Sequence, residues 1–325
     1  MAVITAEPGI TVFKDELTPI TPARYKILVP VANPATADEL LDLATSLARD
    51  RKGEIVALHI LASNNRRPGA EERNSAAARR TILEQKVTSR RRSAVPIHTV
   101  TRIAFTPAQG IVATAQEDGY NLILLGWQGH MRPVSLGSSL GEVLDPVVKE
   151  VPCPIAVVKN PTAAQINRIL VPTAGGPNTD LALEIAQTLA RRHKAEVTLL
   201  YIAKKGQEDI GKRILEHTLQ QMKTRPVVRT QVVVADHVVK GILKEAKDYD
   251  AVIMGASHEG VFQQILFGVV PEQVAKRCAK TVIMVKRSPG PIVSGLRRLW
   301  SSWSSHKLGL LAYNWNHKPP HLSEE

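Results

Sequence analysis

The sequence predicts an α/β protein of two tandem, doubly wound domains, each with a five-stranded parallel sheet and helices on both faces. Aromatic residues make up only 4% of the 325 residues although 44% are hydrophobic, and such aliphatic sequences are typical of parallel strands covered by helices. Apolar runs of strand length alternate with segments of helical periodicity. The third observation is that this whole pattern occurs twice.

An internal repeat divides the chain. Residues 26–60 and 168–202 align without a gap at an offset of 142 and are identical at 15 of 35 positions. Nearer the end of each copy, 141–159 corresponds to 268–286, and the two segments have equal length. We therefore predict four parts: an N-terminal extension at 1–21, domain 1 at 22–160, domain 2 at 165–288 and a C-terminal tail at 289–325.

The elements of domain 1 follow from local patterns taken in order. The apolar run at 26–31 predicts the first strand, and the apolar residues of 35–52 recur at helical spacing. Pro107 begins another helical segment, at a position where its missing N–H costs little. We predict five strands, at 26–31, 54–61, 95–103, 121–126 and 153–159, and four helices, at 35–52, within 70–92, at 107–118 and at 141–150.

Domain 2 repeats the order, with strands predicted at 168–173, 196–202, 227–235, 251–256 and 281–286. Strands that alternate with helices imply right-handed crossovers and a parallel sheet. Ligands of such sheets bind beyond the carboxyl ends of the strands, where the strand order switches. In domain 1 we expect this crevice between Pro30–Pro34 and the glycine-rich Gly126–Gly141.

The positive charge of the chain is partly local. The net charge is +12, and residues 66–92 hold nine Lys or Arg against three Glu. This cluster predicts either a solvated basic helix face or a surface for an anionic partner, lipid or nucleic acid. Because no aromatic residues are interleaved with the charges and no nucleic-acid motif is present, nucleic acid is the weakest of these partners.

The apolar and cysteine patterns predict a cytoplasmic protein. No apolar run approaches the roughly 18 residues of a membrane helix, and the first residues do not resemble a secretory signal. Cys153 and Cys278 are strand-adjacent in different halves, so we expect buried free thiols rather than a disulfide or a metal site. No His/Cys cluster has metal-ligand spacing.

These residues resemble the universal stress protein family in its tandem-domain form. The resemblance covers nearly all of 22–288 and is carried by ILVPV and ILVPT in the first strands, the loops LLGWQG and IMGASHEG, and the ending VPCPIAVVK. Residues 255–286 are most similar to the stress-protein modules appended to bacterial membrane transporters and channels. The resemblance implies a strand order of 3-2-1-4-5 and, in many members, an adenine-nucleotide pocket. It also implies a homodimer, or pairing of the two copies through their last strands.

Nucleotide-binding members share a signature of Gly, two residues, Gly, nine residues, Gly and then Ser or Thr. Domain 1 matches it at Gly126 and Gly129, but eleven residues rather than nine separate Gly129 from the third glycine, Gly141, which precedes Glu142. A carboxylate there would repel a phosphate. Just upstream, a small-residue segment offers backbone and hydroxyl donors on a different loop path: Gly137, Ser138 and Ser139.

Domain 2 departs further from the signature. It keeps Gly255 and Gly268 but has His258 in place of the second glycine and Val269 in place of the hydroxyl residue. His258 either meets a phosphate as a cation or caps a turn. The flexible pair Gly175–Gly176 allows a close ligand approach.

Binding members usually carry an Asp after the first strand, where this chain has Ala32 and Ala174. Both nucleotide sites are thus degenerate by this resemblance, with domain 1 the better candidate. The alternative is that the glycines only close the α/β turns. The expected nucleotide site of domain 1 adds Pro30, Ala32 and Ile60 on the base or ribose side, and that of domain 2 adds Pro172 and Ile202.

The C-terminal tail holds three of the four tryptophans. Leu296, Leu299, Trp300 and Trp303 would share one helical face beside basic residues, which is typical of a helix at a membrane interface. The alternatives are a tail packed on its own domain or on a partner, and disorder.

Three functions remain open from the sequence. The first is a stress-response or regulatory module that binds ATP or AMP, with or without Mg²⁺, and at most hydrolyses ATP slowly by family analogy. We name no catalytic residue. The second is a nucleotide-free regulatory scaffold of a membrane transporter, and the third is a basic protein associated with nucleic acid.

Overall fold

The computed structural model describes most of the two repeats. The described residues are 3–7, 10–14, 25–32, 37–63, 74, 77–78, 81–85, 87, 95–129, 132–134, 137–161, 165–220, 227–257 and 266–287. The tail at 289–325 and His258, both singled out in the sequence, lie outside them. So does most of the basic segment 66–92, although several described residues between 74 and 87 are helical.

Domain 1 has the predicted α/β architecture. Its parallel strands are β3 (Lys26–Pro30), β4 (Glu54–Ala62), β5 (Ile97–Ala104), β6 (Leu122–Trp127) and β9 (Ile155–Lys159). They lie in the order β5-β4-β3-β6-β9. The helices with both ends described are α1 (Asp38–Asp50), α2 (Pro107–Glu117) and α3 (Leu144–Glu150).

Domain 2 repeats this arrangement with the strands β10 (Arg168–Pro172), β11 (Glu196–Ala203), β12 (Arg229–Val234), β13 (Ala251–Gly255) and β14 (Thr281–Lys286). They lie in the order β12-β11-β10-β13-β14. Its helices are α4 (Pro177–His193), α5 (Glu208–Gln220), α6 (Val238–Glu245) and α7 (Val269–Arg277), and a 3-10 turn follows α6 at Ala246–Asp248.

The two domains form one continuous sheet. β9 and β14 pair antiparallel from Ile155–Lys286 to Lys159–Val282, so the last strands of the two copies join within one chain. Of the two arrangements left open by the sequence, the structure has the intrachain pairing. Helices α1 and α4 also meet across the junction, where Arg191 donates to both carboxylate oxygens of Asp50.

Two apolar layers cover the sheet, and each runs through both domains. One contains Ile111, Val147, Ile242 and Val274 from α2, α3, α6 and α7. The other contains Leu41, Leu183 and Leu215 from α1, α4 and α5, together with Leu83 and Val87 of the helical segment after β4. Such aliphatic burial on both faces is the expected driving force for a parallel sheet.

The N-terminal extension adds a hairpin that sequence patterns had left open. Strands β1 (Val3–Glu7) and β2 (Ile10–Lys14) pair antiparallel, and β2 continues the sheet antiparallel to β5. Within the described ranges, the sheet therefore has twelve strands. Because β2 covers the edge of β5, the outer strand of domain 1 is paired on both sides, whereas β12 ends the sheet at the other side.

Both cysteines are buried free thiols, as predicted. Burial raises the pKa of the Cys153 thiol to about 12, so the reactive thiolate form is suppressed at neutral pH. Among the described residues, no three His, Cys, Asp or Glu side chains come together to hold a metal ion. No helix in the described ranges is long and apolar enough to cross a membrane.

Candidate functional site

The carboxyl ends of β3 and β6 border a crevice in domain 1. These strands are neighbours in the sheet, and the chain leaves them at Pro30–Ala32 and Gly126–Gly129. Pro30 is buried and Ala32 is exposed. The structure therefore brings together the two segments that the sequence predicts at this edge.

Gly126 and Gly141 of domain 1 have space beside them among the described residues. At Gly126, the nearest described atom to an added methyl group would be Leu40 Cδ2, 3.7 Å away. A methyl group added at Gly141 would meet no atom within 4 Å in the described part of the chain, and Gly141 has a φ of +127° that favours glycine. A small ligand group at either position would therefore displace no described side chain.

The segment between Gly129 and Gly141 contains a second short hairpin. Strands β7 (Arg132–Val134) and β8 (Gly137–Ser139) pair antiparallel, with Val134 opposite Gly137. The segment between Gly129 and Gly141, which is longer than in the family signature, thus contains this hairpin. Ser138 and Ser139 belong to β8 of this hairpin. Their side chains lie outside the described part of the chain.

An acidic side chain holds the end of this loop. Asp145 Oδ1 accepts the backbone N–H of Leu140 at 2.8 Å. Glu142, the residue expected to repel a phosphate, has an exposed side chain. The sequence interpretation therefore missed Asp145, although an acid occurs at the corresponding position of both copies.

The corresponding crevice of domain 2 is filled by the first turn of α4. Asn178 is buried, its Nδ2 donates to Ala256 O at 2.8 Å, and its Oδ1 accepts the N–H of Arg287 at 2.8 Å. A methyl group at Gly255 would lie 2.8 Å from the backbone of Asn178. Since backbone cannot rotate away, the ends of β10 and β13 are sealed by Asn178, whereas the corresponding residue of domain 1, Thr36, lies outside the described residues.

Two threonines fix the turn that carries Asn178. Thr173 Oγ1 accepts the N–H of Gly175 at 2.9 Å and lies 2.8 Å from Thr179 Oγ1. Gly175 and Gly176 have φ values of +85° and +104°. Their conformational freedom, which the sequence assigned to ligand approach, is used here to turn the chain into α4. Pro172, just before the turn, is buried.

The glycine loop of domain 2, the segment from Gly255 to Gly268, also has side chains of its own domain packed against its described residues. A methyl group at Gly268 would lie 1.7 Å from Ser257 Oγ. The carboxylate of Glu272, 3% exposed, accepts the N–H groups of both Leu266 and Phe267. These two donors are therefore engaged by a protein carboxylate. Val269, which replaces the hydroxyl residue, is 45% exposed and does not fill the crevice.

The two predicted isoleucines have equivalent packing roles. Ile60 Cδ1 would be 2.6 Å from a methyl group at Gly110 of α2, and Ile202 Cδ1 would be 3.0 Å from one at Gly241 of α6. Each isoleucine thus packs closely against a helical glycine. This packing gives both isoleucines a structural role. Their contact with a nucleotide base remains a prediction.

Comparison with known proteins agrees with the repeat. The family model described as the universal stress protein family matches residues 24–159 and again 165–286. The chain belongs to the universal stress protein family. The two matches make this universal stress protein a tandem one, with one match on each side of the β9–β14 pairing.

Related proteins include stand-alone and transporter-linked forms. The Na(+)/H(+) antiporter NhaS5 of Synechocystis is 25% identical over 277 residues, which cover 82% of this chain and 39% of the antiporter. A universal stress protein from Archaeoglobus fulgidus superposes with a TM-score of 0.57 at 17% identity, covering 81% of this chain and 97% of that one. The cytoplasmic domain of a prokaryotic cation chloride cotransporter gives 0.55 at 15% identity, covering 84% and 99%.

Proposed function

We propose that this universal stress protein is a regulatory module that binds an adenine nucleotide, ATP or AMP, in the crevice of domain 1. The space beside Gly126, as far as the described residues define it, supports the proposal. Backbone N–H groups of Gly126, Gly129, Gly137 and Gly141, with the hydroxyls of Ser138 and Ser139, hold the phosphates. Pro30, Ala32 and Ile60 border the base or ribose.

Domain 2 is a structural copy in this proposal. The side chain of Asn178 and the carboxylate of Glu272 engage the groups that a nucleotide would need. Binding at one crevice per chain orders the glycine loop of domain 1 and changes a surface that a partner reads. We assign no catalytic residue in this proposal.

Isothermal titration with ATP, ADP and AMP tests the proposal. We expect heat with about one site per chain for the wild type. Gly126→Leu, whose side chain would enter the crevice, should abolish it. Gly119→Leu is the matched control, because a methyl group at Gly119 meets no described atom within 4 Å and Gly119 lies before β6, at the opposite edge of the sheet. Absence of heat from folded wild-type protein would contradict the proposal.

A second function is favoured by the antiporter relative. Its similarity extends across both domains, although the chain spans only 39% of the antiporter's length. In this alternative the chain is a nucleotide-free regulatory scaffold of a membrane transporter in the cytoplasm, and the C-terminal tail binds the membrane. Co-sedimentation with anionic liposomes should then be stronger for the full chain than for a chain ending at Lys286. Equal partition of the two would remove the membrane contact.

A further inference from the structure

The side chain of Lys159 lies against Gly129 in the glycine loop of domain 1, the segment from Gly126 to Gly141. Lys159 is the last residue of β9 and only 9% exposed. Its Cε would lie 2.7 Å from a methyl group on Gly129, which has a φ of +82°. Gly129 is therefore required both for its backbone conformation and for the space that the lysine stem occupies.

Domain 2 holds the ammonium in place. Lys159 Nζ donates to Cys278 O at 2.6 Å, at the carboxyl-terminal end of α7. The exposed carbonyls at a helix C-terminus carry partial negative charge and favour a cation. One of the three N–H donors of the ammonium is thereby satisfied.

The positive charge of the Lys159 ammonium has no carboxylate counter-ion in the described part of the chain. No ion pair joins a described carboxylate to Lys159. The loop at 130–139 contains no Asp or Glu in its sequence, which includes His130 and Arg132. Because buried charges are costly unless they are paired, this arrangement is suited to an anion that comes from solution.

The corresponding lysine of domain 2 has a different contact. Lys286, the last residue of β14, donates to Leu266 O at 2.9 Å and so ties down the glycine loop of its own domain. Lys159 lies against its loop at Gly129 but bonds across the domain junction. A flexible four-carbon stem allows its ammonium to turn toward a ligand at that loop.

We propose that Lys159 is the cation that contacts the phosphate groups of a nucleotide bound at the glycine loop of domain 1, and that Cys278 O of domain 2 positions it. This inference rests on the proposed function, because it assigns a residue to the same crevice. It also makes domain 2, whose own crevice is filled, part of the site of domain 1.

Charge-selective binding measurements test the proposal. Titrations with ATP, AMP and uncharged adenosine would be run on the wild type, Lys159→Gln, Lys159→Arg and Lys286→Gln. Glutamine keeps a donor for Cys278 O but removes the charge. We expect Lys159→Gln to weaken ATP binding at least about tenfold, the scale of one lost charge-assisted contact, and to leave adenosine binding within about twofold. Lys159→Arg should restore ATP binding, and Lys286→Gln should leave it unchanged.

The outcomes separate this inference from the proposed function. If the wild type binds ATP and Lys159→Gln binds it equally well, Lys159 is no phosphate contact and the nucleotide site stands. Equal weakening of ATP and adenosine would show a purely structural role and overturn the inference in the same way. If the folded wild type binds neither ATP nor AMP, the proposed function fails and this inference fails with it.

Discussion

The two crevices of this protein differ although the folds around them repeat. In domain 1, a methyl group at Gly126 would have no described atom nearer than Leu40 Cδ2, at 3.7 Å. In domain 2, Asn178 lies against Gly255 and bonds to the chain just after β13 and β14. The same residue type therefore has space beside it among the described residues of one copy and packs against the chain's own asparagine in the other.

The difference begins at the start of equivalent helices. Helix α1 starts at Asp38, which corresponds to Asp180 of the repeat, whereas α4 starts at Pro177. The first residues of α4 carry Asn178, and Pro177 is suited to a first helical position. Their counterparts in domain 1, residues 35 and 36, lie outside the described residues. The first turn of α4 seals the crevice of domain 2 without changing the sheet.

The largest expected contrast is between matched alanine substitutions at the two strand ends. Gly255→Ala forces a methyl group onto the backbone of Asn178, so we expect a loss of about 1–3 kcal/mol in the free energy of unfolding. Gly126→Ala should change it by less than about 0.5 kcal/mol because its methyl group has room. Urea denaturation of both variants measures this contrast, and equal losses would show that the crevices are equally packed.

A second contrast concerns the acids that hold the glycine loops. Glu272→Gln weakens two charge-assisted bonds to buried N–H groups, and we expect a loss of about 1–2 kcal/mol. Asp145→Asn weakens one such bond, at Leu140, and should cost less than about 1 kcal/mol. Thermal unfolding of the two variants checks the order. A larger loss in Asp145→Asn would mean that domain 1 has the more tightly closed loop.

Thr173→Val makes the turn of domain 2 more like domain 1, which has Val31 at the corresponding position. The substitution removes the acceptor of the Gly175 N–H and should cost about 1 kcal/mol. Hydrogen exchange of the Gly175 amide should become faster, while amides within β10 keep their protection. An unchanged rate at Gly175 would indicate that the threonine does not fix this turn.

The smallest effect is expected at the junction between α1 and α4. The hydrogen bonds from Arg191 hold the pKa of Asp50 below its ordinary value of 3.8. A lowered folded-state pKa stabilises the protein above the ordinary value, and this stabilisation is lost as the pH falls through the lower one. Because the pair is partly exposed, Asp50→Asn should cost less than about 1 kcal/mol at pH 7.

The pH dependence provides the measurement for this pair. Denaturation of the wild type and Asp50→Asn at pH 7, 5 and 3 should give a stability difference that is constant between pH 7 and 5 and smaller at pH 3. A difference that grows toward low pH would contradict the sign of the pKa shift.

The fold was largely predictable because its signals are local and repeated. Strand-length apolar runs and helical periodicity predicted the elements of both domains. The hairpin at Val3–Glu7 and Ile10–Lys14 was missed, although the Pro8-Gly9 pair between two β-rich runs is a turn signal. Its position beside β5 depends on which sheet edge is free, and no local pattern encodes that. The choice between intrachain and interchain pairing of the last strands is equally non-local.

Of the candidate site, only the glycines at the strand ends were predictable from the sequence. The glycines at the strand ends are visible in the sequence because a missing side chain is a local property. The residues that we propose to control occupancy are not, because Asn178 and Lys159 contact groups more than 70 residues away in one case and more than 100 in the other. The repeated acids at Asp145 and Glu272 were the one signal that comparison of the copies could have found.

Photoaffinity labelling with 8-azido-ATP tests most directly whether one crevice is open and the other is filled. After labelling of the full chain and peptide mapping, we expect modification within residues 22–160 that excess ATP suppresses, and none above background within 165–288. Equal labelling of both domains, or labelling confined to domain 2, would contradict the account.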